Sequence, residues 1–80
     1  MQYRFLGAYQ TPDGRWRIEV WAGRGAQWYT VLHDGQVYDR DGFLCERVPL
    51  GTVEAVLRAN GVSMADLRPE TADGPDDGPA

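Results

Sequence analysis

Asp39, Asp41 and Gly42 have the spacing of the middle of a calcium loop, where alternate carboxylates and a turn-forming glycine wrap an oxygen-loving cation. With Gly42 as the sixth loop residue, the first is Val37 and the twelfth Val48, and neither ligates a cation through its side chain. The segment therefore reads as a hairpin turn. His33 beside Asp34 pairs a base with a carboxylate able to orient it, but its nucleophile would have to be Cys45, Thr30 or Ser63, none of which sits in a recognisable local motif. Cys45 lies in an apolar stretch and reads as a small core residue. There is no glycine-rich phosphate loop, no Cys/His cluster with metal-ligand spacing and no matched carboxylate pair. The expectation is a non-enzyme without catalytic residues, cofactor or metal.

What remains for chemistry is arginine and aromatic rings. All eight basic residues are arginine, a bias that genome composition explains before function does. Through Arg68 these arginines balance eight acids, so the formal charge of −4 comes entirely from Glu70, Asp73, Asp76 and Asp77. Those four sit in a stretch rich in Pro, Gly and Asp with no large apolar residue, which cannot repay the entropy of ordering. The reading is one small domain over 1–68 and a disordered acidic tail over 69–80. No run approaches the length of a membrane span, the N-terminus lacks the order of a signal peptide, and a single cysteine suits a reducing compartment. Together these predict a small soluble, cytoplasmic protein with no membrane association.

The elements that position these residues read as α+β: an antiparallel meander of four to five strands, then one C-terminal helix. Strands are expected at 2–10, 15–22, 27–33, 36–39 and, least distinctly, 43–48, separated by turns at Thr11-Pro12-Asp13-Gly14, 23–26, Asp34-Gly35 and 39–42. From Pro49 the period becomes helical, with Leu50, Val53, Val56 and Leu57 on one stripe and Asn60-Gly61 as its stop. Ser63 three residues before Asp66 has the form of a capping box, which predicts a short helical turn docking Met64 and Leu67. The alternative architecture is a small curled β-barrel with the helix at its end or outside.

Turn lengths then sort side chains onto faces. A three-residue loop at Pro12–Gly14 pairs Ala8 with Ile18 and Leu6 with Val20, and an even second loop pairs Ile18 with Val31 and Val20 with Tyr29. One face collects Leu6, Ala8, Trp16, Ile18, Val20, Tyr29, Val31 and Tyr38 as a core for the helix to cover. The other carries Phe5, Tyr9, Arg15, Arg17, Trp21 and Trp28 as candidate interaction residues, with Tyr3, Glu19, Thr30, Leu32 and Val37 among them. An outward face of a one-sided sheet should be mainly polar, so rigid aromatics among arginines predict a surface that something covers. The expected role is a protein-interaction or homo-oligomeric accessory or regulatory module, its partner another protein or its own copy. The second reading is single-stranded DNA or RNA stacked on the same aromatics with Arg15 and Arg17 on the backbone, against which the neutral charge of 1–68 argues.

Overall fold

A computed structural model of the chain describes residues 2–70. Its sheet is built from β1 (Arg4–Gln10), β2 (Trp16–Gly23), β3 (Ala26–His33) and β4 (Gln36–Val37). A separate two-stranded hairpin follows, β5 (Asp39–Arg40) with β6 (Phe43–Leu44). Then come helix α1 (Leu50–Ala59), a 3₁₀ turn (Met64–Asp66) and a last strand, β7 (Arg68–Pro69). The five-stranded antiparallel sheet has the order β4-β3-β2-β1-β7, and β4 and β7 lie at opposite edges. It is an open sheet followed by one helix, not the curled barrel.

The β2–β3 ribbon forms as its alternation dictates. Trp16, Ile18, Val20 and Ala22 face one way and pair with His33, Val31, Tyr29 and Gln27; Arg17, Glu19 and Trp21 face the other way and pair with Leu32, Thr30 and Trp28. Against the first face lies α1, whose buried residues Val53, Val56 and Leu57 join Trp16, Ile18, Val31, Cys45 and Val48 in the core, with Tyr29, Tyr38, Val62 and Leu67 packed around it. The helix ends as its sequence requires. Gly61 at φ +73° donates to the Arg58 carbonyl and Val62 donates to the Leu57 carbonyl, the two bonds of a Schellman stop. Leu50, expected on the buried stripe, is the first helical residue and stays exposed. Ser63 Oγ accepts the Ala65 N–H to start the 3₁₀ turn, which docks Leu67 but leaves Met64 exposed.

The register of β1 departs from expectation twice. Thr11 and Trp16 close the first hairpin, so its loop holds four residues rather than three: the Thr11 N–H donates to the Trp16 carbonyl, and the Trp16 N–H donates to Thr11 Oγ1. Asp13 makes the extra residue possible, its Oδ1 accepting both the Thr11 hydroxyl at 2.6 Å and the Arg15 N–H at 3.0 Å. One residue of slip exchanges faces. Ala8 therefore opposes Glu19 and Tyr9 opposes Ile18, which takes Ala8 off the helix side and Tyr9 onto it. A bulge between Phe5 and Gly7, with Leu6 as its extra residue, then restores the original sense, so Phe5 opposes Trp21 after all.

The fifth expected strand also differs. Phe43 and Leu44 pair only with β5 and are exposed, while the returning chain stitches itself to β3 through single bonds: Val31 donates to Cys45, and Tyr29 and Val48 exchange N–H and carbonyl. Pro69 and Glu70, assigned from sequence to the tail, belong to the fold: Pro69 pairs with Tyr9, and the Glu70 N–H donates to the Ala8 carbonyl. The rest of that expected tail, 71–80, lies outside the described residues.

Leu57 is fully buried where the helix packs on the sheet, and a domain this small has a stability of a few kcal/mol. Leu57→Ala should cost about 3 kcal/mol, bringing the urea midpoint near zero in an equilibrium unfolding measurement, whereas Leu50→Ala should leave it nearly unchanged.

Candidate functional site

The face of the sheet away from α1 is built in cross-strand rows. Phe5, Trp21 and Trp28 stand side by side on β1, β2 and β3 as directly opposed residues. Ala8, Glu19 and Thr30 form the next row, and Gln10, Arg17 and Leu32 the one after, with Val37 of β4 beside Leu32. Among the described residues no helix or strand crosses this face. Its covering comes from side chains and the main chain at Arg47: the Tyr3 ring lies against Gly23, where a Cβ would overlap it, the Arg47 guanidinium sits 4.9 Å over that ring, and the Arg47 main-chain N–H donates to Thr30 Oγ1.

Each aromatic is held in place by the fold. Phe5 meets Trp21 edge to face at 5.3 Å and 65°, the geometry that the ring quadrupoles favour. The Trp21 indole N–H donates to Glu19 Oε1, and the Trp28 indole N–H donates to the Gly23 carbonyl at 2.9 Å. Both indole donors are thereby satisfied within the chain, so the rings offer a partner their apolar faces. Phe5 is 47% exposed, and the two tryptophans are half-buried.

Arg17 is not a free cation. Glu70 grips it bidentately, Nε to Oε2 at 3.0 Å and Nη2 to Oε1 at 2.9 Å, while Nη1 reaches Glu19. The Glu70 hydrogen bond is the main cause holding the Arg17 guanidinium above its ordinary basicity, with both carboxylates adding to it against the cost of burial. Glu19 links the ion pair to Trp21, so Glu70, Arg17, Glu19 and Trp21 form one connected chain of contacts. The sequence reading missed Glu70 because composition placed it in the tail.

Of the six expected interaction residues, Phe5, Arg17, Trp21 and Trp28 share this face. Tyr9 does not, since the four-residue loop turns it to the helix side opposite Ile18. Arg15 lies beyond the end of β2, its guanidinium 3.6 Å from Asp34, beside a groove of about 620 Å³ between the first hairpin loop and the end of α1. In that groove His33 stacks on Trp16 at 4.2 Å and the Asn60 amide donates to the Tyr38 hydroxyl. Its polar groups are engaged internally, Asp13 within the loop and Arg15 with Asp34. The Thr11 hydroxyl first, and then the Arg15 N–H, hold the Asp13 carboxyl below the usual carboxylate range.

The elements once considered for nucleophilic chemistry are not assembled. Cys45 is sealed in the core, where burial pushes its thiol up; Thr30 faces away from the helix and accepts from Arg47; Ser63 caps the 3₁₀ turn; His33 has only Asp34, at 3.7 Å. At the calcium-like segment, Asp39 Oδ1 accepts the Gly42 N–H and closes the hairpin. No group of three or more metal-ligating side chains exists among the described residues, and no described helix is long and apolar enough to cross a membrane. Compared with family models, curated proteins and solved structures, the chain matches none of them.

Two predictions follow from these contacts. Glu70→Ala removes the side-chain fastening of β7; because both partners are more than a third or about a third exposed, the global cost should stay within about 1 kcal/mol. The expected signature is local, namely faster amide hydrogen exchange at residue 70 with unchanged protection in β2 and β3. For Asp13, the folded-state pKa is depressed, so its contribution to stability is present above the ordinary carboxylate range and is lost as pH falls through the depressed value. Thr11→Ala should move the Asp13 carboxyl titration, followed by carbon NMR, back toward the ordinary range.

Proposed function

We propose that the chain is a small protein-interaction module, accessory or regulatory rather than catalytic, that works in the cytoplasm by burying the Phe5–Trp21–Trp28 face against another protein surface. The observation that carries this reading is the row itself: three aromatics in register on three adjacent strands, with their polar atoms already bonded and no element of the described chain laid over them. Apolar rings left on one side of a sheet cost free energy in water, and that cost is recovered when a partner excludes the water. Tryptophan and arginine held in fixed rotamers lose little further entropy on binding, which is why such groups dominate interface energetics.

Single-stranded nucleic acid is the less supported occupant. Stacking on Trp21 and Trp28 is geometrically open to bases, but Arg17 is held by two carboxylates, Arg47 is paired with Glu46 and lies over Tyr3, and Arg15 lies off the face beside Asp34. A phosphate approaching Arg17 meets Glu19 and Glu70 first.

The test is the double substitution Trp21→Ala/Trp28→Ala with circular dichroism as the control for folding. Capture of a protein partner, or self-association, should fall at least about tenfold. Phe5→Arg, at the most exposed ring, gives an independent variant that leaves the tryptophans in place and should weaken binding in the same direction. Undiminished association in both folded variants would refute the reading. An oligonucleotide affinity that falls steeply with salt and with Arg17→Ala would replace it with the nucleic-acid one.

A further inference from the structure

We infer that the partner of the aromatic face is a second copy of this chain, packed sheet on sheet about a two-fold axis perpendicular to the strands. This rests on the preceding reading that the face is an interaction surface, and adds the occupant and its orientation.

The rows supply the first argument. An axis in the plane of the interface, crossing the strands at the Ala8–Glu19–Thr30 row, lays the aromatic row of each copy on the Gln10–Arg17–Leu32 row of the other. Trp21 then lies on Arg17, whose guanidinium is fixed in one plane by Glu70 and offers a stacking surface, and Trp28 lies on Leu32. The row at the axis contains Ala8, small enough for close approach, and Thr30, whose hydroxyl already accepts the Arg47 N–H at the edge of the face. Glu19, also on that row, has only 18% of its side chain exposed and is already bonded to Arg17 and to the Trp21 indole, so little desolvation remains to be done.

Charge fixes the orientation. The end of the sheet at the β2–β3 turn carries Arg4 and Arg24, neither with a carboxylate within 4.0 Å among the described residues. At the opposite end Asp13, Asp34, Asp66 and Glu70 stand with Arg15, Arg17 and Arg68, so the acids exceed the arginines by one. A two-fold along the strands would bring the two cationic ends together, whereas one across the strands sets each against the acidic end of the other copy. The size suits a weak, concentration-dependent pair. Three strands spaced about 4.8 Å and some 24 Å long, with the two short outer strands, give roughly 400 Å² per copy or about 800 Å² in all, below the usual size of a stable interface.

The experiment is exchange between two variants, each checked for folding by circular dichroism. Trp28→Ala and Leu32→Ala each remove both copies of the Trp28–Leu32 contact in a homodimer, so each should weaken self-association by about tenfold. A mixture of the two retains one intact contact per heterodimer. Sedimentation with one variant labelled should therefore show the mixed pair forming several-fold more tightly than either variant alone. Wild-type association should also weaken as salt is raised. The β1 pair Phe5→Ala and Gln10→Ala, at an exposed and a half-buried position, provides the same exchange if Trp28→Ala does not fold. If the wild type dimerises but the mixture is no tighter than its parts, the orientation is wrong. A wild type that stays monomeric at every concentration while acrylamide quenches Trp21 and Trp28 would overturn self-pairing and leave the face open to a different protein. A dimer indifferent to Trp28→Ala, Leu32→Ala and Phe5→Arg would overturn both this inference and the reading it rests on.

Discussion

One helix of ten residues faces a sheet with two sides, and most of the molecule follows from that shortage. Val53, Val56 and Leu57 reach Ile18 and Val31, and the loop through Cys45 and Val48 seals the edge of β3, so one side acquires a dry core. A helix of this length spans about 15 Å, shorter than the strands beneath it. The other side is served by scattered contacts: Tyr3 against Gly23, Arg47 over Tyr3 and on Thr30, and the chain from Glu19 and Arg17 of β2 to Glu70. These contacts position the aromatics without hiding them.

Period-two alternation is the constraint that made half of this legible in advance. In β2 and β3 every residue alternates without interruption, and because the connecting loop is even, as the expected pairing required, Ile18 pairs with Val31 and Trp21 with Trp28. The helix and its Asn60-Gly61 stop were equally readable because the Schellman bonds need only a residue tolerant of positive φ after a helical stripe. In β1 the pattern misleads. Nothing in Thr11-Pro12-Asp13-Gly14 as a string distinguishes a three-residue loop from a four-residue one; the difference is made by Asp13 Oδ1 accepting from both Thr11 and Arg15. The bulge at Leu6 is invisible for the same reason, since its cue, Gly7, is shared with ordinary strand glycines. The two slips cancel for Phe5 and do not cancel for Tyr9, which lies between them, and so one of the two residues expected on the face is there and the other is not.

Glu70 shows a different limit. Composition treats a stretch as a unit, and reads one of Pro, Gly and Asp as unable to form a core of its own. It says nothing of a residue at the boundary that joins an existing sheet. Arg68 and Pro69 need only two ladder positions on the edge of β1, and Glu70 needs only one unsatisfied guanidinium on the next strand. The ion pair spans 53 positions of sequence, beyond the reach of any local pattern. A charge-balance count over 1–68 consequently overstated how much positive potential the face presents.

That ion pair also decides what kind of surface this is. An arginine left free among tryptophans would be equally suited to a phosphate backbone and to a protein. Tied to Glu70 and Glu19, its charge is largely neutralised and its rotamer fixed, while its flat guanidinium still presents area. The same carboxylate chain orients Trp21 through its indole N–H, and Trp28 is oriented by a backbone carbonyl. What remains outward is ring surface and a neutralised plane, a chemistry that rewards exclusion of water more than it rewards anions. Because Glu70 directly follows the last described strand, the character of the face depends on β7 staying in place: with β7 lifted, Arg17 keeps only Glu19 as its counter-ion and the exposed edge of β1 lengthens at the same moment. The fold thus couples the electrostatics of the aromatic face to a strand of two residues at its edge.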